Sequence, residues 1–227
     1  MTQPLSPLPA GLAAAIVDLD GTMVDTVGDF EAALGHAWAD LGLPPVGRDF
    51  IVRTVGKGSE HLIAQCLAAV GAPAALQQAA WQRYQHHYLA INGQHSAVYP
   101  GVVEGLQALR AAGLRLVCLT NKPGAFARPL LAAKALDGFF EFVFGGDAFT
   151  EKKPHPLPLL KACDALGTLP AHTLMVGDSS NDAAAARAAG CPVVLVNYGY
   201  NHGEPVENAR PDAIVSRLGA IAPMLRA

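Results

Sequence analysis

Asp18 and Asp20 stand one residue apart at the end of the apolar run in IVDLDGT, residues 16–22. Like charges that close repel, and aspartate disfavours a strand. One reading is a strand running into an ordinary Asp-Gly turn, the commoner explanation for an isolated DG pair. The other is a carboxylate site that holds a metal or attacks a substrate. Further along, Thr120, Asn121 and Lys122 follow a second apolar run, Lys152-Lys153-Pro154-His155-Pro156 lies past a third, and Gly177-Asp178-Ser179-Ser180-Asn181-Asp182 follows a fourth. Each segment alone has a structural explanation: Asp178 as a helix cap, Thr120 as a turn residue, Lys153 as a solvated charge. Four of them in sequence order outweigh it.

The chemistry of such a gathering is specific. Asp18, Asp20, Asp178 and Asp182 would not collect without a cation, and an all-oxygen set suits Mg2+. Magnesium keeps waters and binds beside phosphate, and a lysine with a threonine hydroxyl would cradle phosphate oxygens. No P-loop is present, so the pattern points to phosphoryl transfer through an aspartyl-phosphate.

These residues meet only if a sheet brings its strand ends to one edge. Ala14–Val17 reads as a buried strand, and the residues after it read as helices. Phe30, Leu34, Ala37, Trp38 and Leu41 share one helical face; Leu62, Ile63, Cys66, Leu67 and Val70 share another, stopped by Gly71 and Pro73; Leu76, Ala80, Tyr84, Tyr88 and Ile91 make a third. Tyr99-Pro100-Gly101 closes this insertion. Beyond it, helices at 102–112, 125–135, 156–166 and 182–189 alternate with short apolar runs at 115–119, 142–144, 173–176 and 193–196. A last strand near 213–215 precedes a terminal helix. Short all-apolar strands between helices signal an α/β fold with a doubly wound, Rossmann-like parallel sheet covered on both faces. Ligands bind beyond the carboxyl ends of such strands. The expected division is a core of residues 1–24 and 98–227 and a small all-helical cap of residues 25–97, inserted after the first strand.

Composition bounds the partners. The chain has 227 residues, 51% hydrophobic and 15% charged, with a net charge of −3. It can bury a full core, and it has no broad basic face for nucleic acid or an anionic membrane. Any anionic substrate is therefore captured by a few local cations. No Lys or Arg precedes Arg48, so neither a secretory signal nor a transit peptide is expected, and MTQPLSPLPA reads as a loose proline-rich tail. Residues 114–119 are too short to span a bilayer. Cys66, Cys118, Cys163 and Cys191 are widely spaced with no CxxC, which fits buried thiols in a reducing, cytoplasmic setting. A monomer or homodimer acting on a small phosphorylated substrate is the expectation.

DLDGT, the T-N-K after the second strand, K-P-H-P and GDSSND together resemble the four motifs of the haloacid dehalogenase superfamily, and the helical insertion resembles its cap. Residues 14–216 are similar to bacterial phosphoglycolate phosphatases, most closely in TNKPGAF, KKPHPLPLL, VGDSSNDAAAARAAGCP and YGYNHGE. By position, the resemblance implies Asp18 as nucleophile and Asp20 as the acid that protonates the leaving alkoxide and then activates water. It implies Mg2+ held by Asp18, the Asp20 carbonyl and Asp178, with Asp182 supporting. It gives phosphate oxygens to Thr120 and the Asn121 amide, charge neutralisation to Lys153 rather than Lys152, and a close backbone turn to Gly21. Period-two spacing lets both aspartates face one site.

Specificity is then expected from the cap, and IVRTVGKGSEHL, residues 51–62, is its most informative stretch. One reading is a loop before a helix capped by Ser59, with a solvated lysine. The other is an anion-binding turn in which Arg53 or Lys57 meets a substrate carboxylate. Tyr200 and His202 are placed at the mouth without a chemical role. Three activities stand open: hydrolysis of 2-phosphoglycolate, hydrolysis of a sugar phosphate such as N-acetylmuramic acid 6-phosphate, and dehalogenation. Asp20 and the metal carboxylates argue against the last, which needs neither a leaving-group acid nor magnesium. A non-catalytic phosphate-binding protein is weaker still, because every catalytic position is intact.

Overall fold

The computed structural model describes residues 8–225. Strand β1 (Ala14–Val17) is followed by the two-residue β2 (Val24–Asp25) and the helices α1 (Val27–Asp40), α2 (Arg48–Thr54), α3 (Ser59–Ala69) and α4 (Gln77–Ile91). The two-residue β3 (Ala97–Val98) leads back through α5 (Val102–Ala111) to β4 (Arg115–Leu119), α6 (Gly124–Ala133), β5 (Phe142–Phe144), α7 (Leu157–Leu166), β6 (Thr173–Gly177), α8 (Ser180–Ala189), β7 (Val193–Val196) and β8 (Ala213–Val215). Six strands form one parallel sheet in the order β5-β4-β1-β6-β7-β8. This is the doubly wound sheet expected from the apolar runs.

Register explains why chemistry gathers where it does. Val17 lies opposite Cys118 on one side and Val176 on the other, so the residues just past β1, β4 and β6 emerge side by side. The chain leaves β1 towards β4 and returns to β6 on its other flank, so this edge is the point where strand order reverses. Alternate residues of β1 enter opposite faces of the sheet: Ala15 and Val17 pack with Leu106, Leu116 and Leu130, while Ala14 and Ile16 pack with Leu159, Met175 and Ala186. Burial on both faces is what removes polar residues from these strands.

A third core lies within the helical insertion. Phe30, Leu34 and Trp38 of α1 pack with Leu62, Ile63 and Leu67 of α3 and with Tyr84 and Tyr88 of α4. Burying each large side chain stabilises the insertion by about 1.5–3 kcal/mol. Phe126 of α6 also joins this core, which ties the insertion to the sheet domain. Where the chain enters and leaves, Val24 pairs with Val98 and Asp25 with Ala97 in an antiparallel two-residue ladder.

Four readings of the sequence need correction. Helix α2 occupies a stretch read as loop; with Ile51 and Thr54 as its only buried residues, it has too short an apolar face to signal itself. Ser59 is the first residue of α3 rather than its cap: Gly58, at φ +91°, holds the cap position and no side chain caps the turn. The terminal helix is absent from the described residues, replaced by 3-10 turns at Leu218–Ala220 and Ala222–Met224, where Gly219 and Pro223 disfavour a continuous α-helix. Of the N-terminal tail, residues 1–7 lie outside the described residues, but Leu8 is buried and its N–H donates to the Met224 carbonyl at 3.2 Å. Among the described residues, no helix is long and apolar enough to cross a membrane.

Candidate active site

Asp18, Asp178 and Asp182 are buried, and each offers a carboxylate oxygen within 4.8 Å of the others. The start of α8 fixes Asp182. Ser179 is the N-cap, and Asp182 Oδ2 accepts from the Ser179 hydroxyl (2.9 Å), the Ser179 N–H (3.2 Å) and the Asp178 N–H (3.3 Å). That reciprocal arrangement is a capping box. Its other oxygen, Oδ1, accepts from Lys153 Nζ at 2.7 Å. Asp182 therefore carries four donors on its two oxygens, which makes it the member of the group most fully spent in structure. Asp178 is held by the Tyr200 N–H at 2.7 Å and the Thr22 hydroxyl at 3.3 Å. Gly21, at φ +81°, lies so close that a Cβ would collide with the Asp178 carboxylate, so only glycine lets the backbone pass there.

Lys153 is the cation of this cluster. Its ammonium is 2.9 Å from Asp18 Oδ1 and donates to the Leu119 carbonyl at 3.0 Å. Burial works to lower its pKa, yet the adjacent Asp18 and Asp182 raise it above the ordinary value. Burial pushes the Asp18 carboxyl up to about 7, against the pull of Lys153 and with the Asp182 charge adding to the rise. Burial, then the charges of Asp182 and Asp18, also hold Asp178 well above the usual carboxylate range. One ammonium is thus too little positive charge for three buried carboxylates.

Asp20 faces elsewhere. Its Oδ1 accepts from the Thr26 hydroxyl at 2.8 Å and from Lys122 Nζ at 3.0 Å, and its side chain stays outside the three-carboxylate group. Two aspartates from one short segment therefore occupy different environments, one desolvated beside Lys153 and one at the seam with the helical insertion. Thr120 is buried, with its Oγ1 accepting from the Lys122 N–H at 3.2 Å. The Asn121 side chain donates to the carbonyls of Gly56 (2.9 Å) and Lys153 (2.7 Å) and accepts from the Lys153 N–H (3.0 Å). It is fully used in structure, leaving the backbone N–H of Asn121 to meet a ligand.

The profile of the haloacid dehalogenase-like hydrolase family matches residues 15–196. Phosphoglycolate phosphatase of Thiobacillus denitrificans is 44% identical over 223 residues, covering 96% of this chain and 97% of that protein. The chain belongs to the haloacid dehalogenase-like hydrolases. Phosphoglycolate phosphatase of Nitrosospira multiformis is also 44% identical, over 93% of this chain and 94% of its own. Among solved structures, a predicted phosphoglycolate phosphatase from Haemophilus somnus superposes with a TM-score of 0.89 at 31% identity, covering 95% of this chain and 98% of that one.

In this hydrolase a cavity lies between sheet edge and helical insertion. Asp18, Asp20, Thr120, Asn121 and Lys122 line it from one side, and Phe30, Gly56, Gly58 and Ser59 from the other. The Gly56 carbonyl is bonded by Asn121 and by Asn181 Nδ2 (3.2 Å), so the insertion is drawn down over the site. The two cap cations singled out in the sequence are not among the lining residues. Arg53 packs against Gly203, where a Cβ would clash with its side chain. Lys57 stands near His61 and His202, whose pKa values burial and the lysine charge both lower. Tyr200 is structural: its hydroxyl donates to Asp25 Oδ1 and accepts from the Thr26 N–H, at 2.8 and 2.7 Å. It thereby joins the loop that holds Asp178 to the point where the chain enters the insertion.

Lys122 is the group that sequence reasoning passed over. It was visible as the third residue of T-N-K at a strand end, but nothing local marks its partners. Its ammonium pairs with Asp20 and lies 4.4 Å and 4.6 Å from the ring centroids of Phe30 and Tyr88.

Proposed function

We propose that this hydrolase cleaves small phosphomonoesters in a Mg2+-dependent reaction through a phosphorylated Asp18, and that it converts 2-phosphoglycolate to glycolate and phosphate. The observation that carries the reading is the division of labour between Asp18 and Asp20. Paired carboxylates held in different surroundings take different roles, and a dehalogenase has no use for the second. The near-full-length relatives named as phosphoglycolate phosphatases support the substrate.

Residues 25–97 serve as a cap on a core of residues 1–24 and 98–227, with the β2–β3 ladder as the double crossing between them. A Asp18 carboxylate oxygen attacks phosphorus in line with the ester oxygen. The Thr120 hydroxyl and the Asn121 backbone N–H hold phosphate oxygens, and Lys153 neutralises charge between phosphate and Asp18. Asp20 gives its proton to the departing alkoxide, so that glycolate leaves with its hydroxyl restored. Asp20 then takes a proton from water as that water attacks the phosphoaspartate, which returns Asp18 and releases phosphate. The cap excludes bulk water during this sequence.

The donor set fits magnesium. It is all oxygen, and burial without enough counter-charge already holds Asp18 and Asp178 above their ordinary pKa values. Asp18, Asp178 and the Asp20 carbonyl would hold the ion, with Asp182 fixing Lys153 and the start of α8. Bound there, Mg2+ supplies a Lewis acid that neutralises phosphate charge.

A pH prediction follows from the raised carboxyls. A raised folded pKa contributes stability below the unfolded value, and that contribution is lost as pH rises through the folded value. For Asp18 the window runs from 3.8 to about 7. In EDTA the protein therefore loses stability between pH 5 and pH 8, each pKa unit being worth about 1.4 kcal/mol. Saturating Mg2+ should raise Tm more at pH 8 than at pH 5.5, read by differential scanning calorimetry. Equal shifts at both values would remove the metal from this site.

The cavity also bears on the substrate. It measures about 20 Å³, room for little more than a water, so a two-carbon ester displaces the cap far less than a hexosamine phosphate. The decisive experiment is phosphate release from a panel containing 2-phosphoglycolate, N-acetylmuramic acid 6-phosphate and p-nitrophenyl phosphate, with Mg2+ or EDTA. The highest kcat/KM is expected for phosphoglycolate, and EDTA should abolish it. Preference for the sugar phosphate would replace the substrate; activity in EDTA would remove the metal.

A further inference from the structure

Phosphoglycolate is charged at both ends, and the groups gathered around Asp18 serve only the phosphate. Its carboxyl carbon is two bonds from the ester oxygen. If Asp20 protonates that oxygen, the substrate carboxylate must lie within a few ångströms of the Asp20 carboxylate. Once that proton has left Asp20, two carboxylates stand that close in a cavity narrowed by the cap, and they repel strongly unless a cation lies between them. Arg53 and Lys57 do not line the cavity.

Lys122 does. Its side chain is 1% exposed, and its ammonium lies 3.0 Å and 3.4 Å from the two oxygens of Asp20. The rings of Phe30 from α1 and Tyr88 from α4 cover it at 4.4 Å and 4.6 Å. Aromatic faces attract the ammonium and fix its place, but they carry no net charge to cancel it. Asp20 is its one ion-pair partner among the described residues. An ammonium has three N–H donors, so a second acceptor can be served from the cavity. Gly58 and Ser59, at the amino end of α3, line the same cavity from the cap side, and no side chain caps the backbone N–H groups there.

We propose that Lys122 is the residue that selects for a carboxylate in the substrate, bridging it to Asp20 with Ser59 on the cap side of the cavity. The proposal rests on the phosphoglycolate reading above. It gives a lysine of the sheet domain the task that the cap cations Arg53 and Lys57 would otherwise have. It also gives Phe30 and Tyr88 a use: the cap rings meet the ammonium only when the cap is seated on the core.

The test is the ratio of kcat/KM for 2-phosphoglycolate to that for its neutral isostere, the carboxamide of phosphoglycolate. Any effect of Lys122 exerted through Asp20 or through cap closure falls on both esters alike and leaves the ratio unchanged. Lys122→Met should lower the ratio by roughly one to two decades, mainly through KM for the acid, and Lys122→Arg should restore most of it. Where Lys122→Met does not fold, Ser59→Asp places a negative charge on the cap side of the cavity and should lower the ratio in the same direction. A wild-type ratio in Lys122→Met, or in Ser59→Asp where that variant stands in for it, overturns the assignment while leaving the phosphatase reading intact. A wild-type enzyme that hydrolyses both esters equally well overturns carboxylate recognition itself.

Discussion

Asp18→Asn should lower turnover by at least about four orders of magnitude while the protein stays folded. Loss of a nucleophile removes the covalent route, and residual rates in enzymes so altered reflect binding and electrostatics alone. Asparagine has the same shape as aspartate but offers a poor nucleophile and no formal charge. The substitution is also favourable to the fold: burial raises Asp18 to about 7, so the native structure resists its ionisation, and a neutral amide escapes that penalty. Lys153 keeps Asp182 at 2.7 Å and the Leu119 carbonyl at 3.0 Å. In EDTA at pH 8 the variant should therefore be at least as stable as the wild type, with an unchanged circular dichroism spectrum and no measurable phosphate release. Wild-type turnover in a folded Asp18→Asn protein would sink the covalent mechanism.

The sequence revealed the parts of this structure that repeat a local pattern. β1, β4, β6 and β7 are buried on both faces apart from Arg115 at the start of β4, so each reads as a short apolar run, and the polar residue beyond each run marks the carboxyl edge. The three long helices of the insertion show their apolar faces at helical spacing. What stayed hidden depends on residues that meet only after folding. The Asn181 amide reaches the Gly56 carbonyl across 125 positions, and the Tyr200 hydroxyl reaches Asp25 across 175. Lys122 finds Asp20 across 102 positions, and its aromatic neighbours come from two different helices. The β2–β3 ladder is two residues long on each side, too short for alternation to register. Asn121 is an instructive case, because its place at the strand end was plain while the use of its side chain was not. Its side-chain amide is engaged with the carbonyls of Gly56 and Lys153, 65 and 32 positions away.

Replacing Lys153 by methionine should be the most destabilising single change at the site. Its side chain is 2% exposed, and the ammonium stands 2.9 Å from Asp18 and 2.7 Å from Asp182. Removing one member of a buried charge cluster leaves the others without compensation, a loss of about 3–5 kcal/mol. In a chain of this length each kcal/mol moves Tm by about 2–4 °C, so a fall of roughly 10 °C is expected in EDTA at pH 8. Two conditions should shrink the loss. Mg2+ supplies positive charge beside Asp18, and low pH allows the abandoned carboxylates to take up protons, so the gap from wild type narrows in Mg2+ and narrows again towards pH 5. Lys153→Met with Asp182→Asn removes both charges of the shorter pair and should recover part of the stability, though Asn cannot rebuild every bond of the Ser179 capping box. None of these conditions should restore phosphate release, because the ammonium that sits between phosphate and Asp18 is gone. A single Lys153→Met variant as stable as the wild type in EDTA at pH 8 would show that the carboxylates of this site are already neutral in the folded protein, and that Lys153 does not hold them.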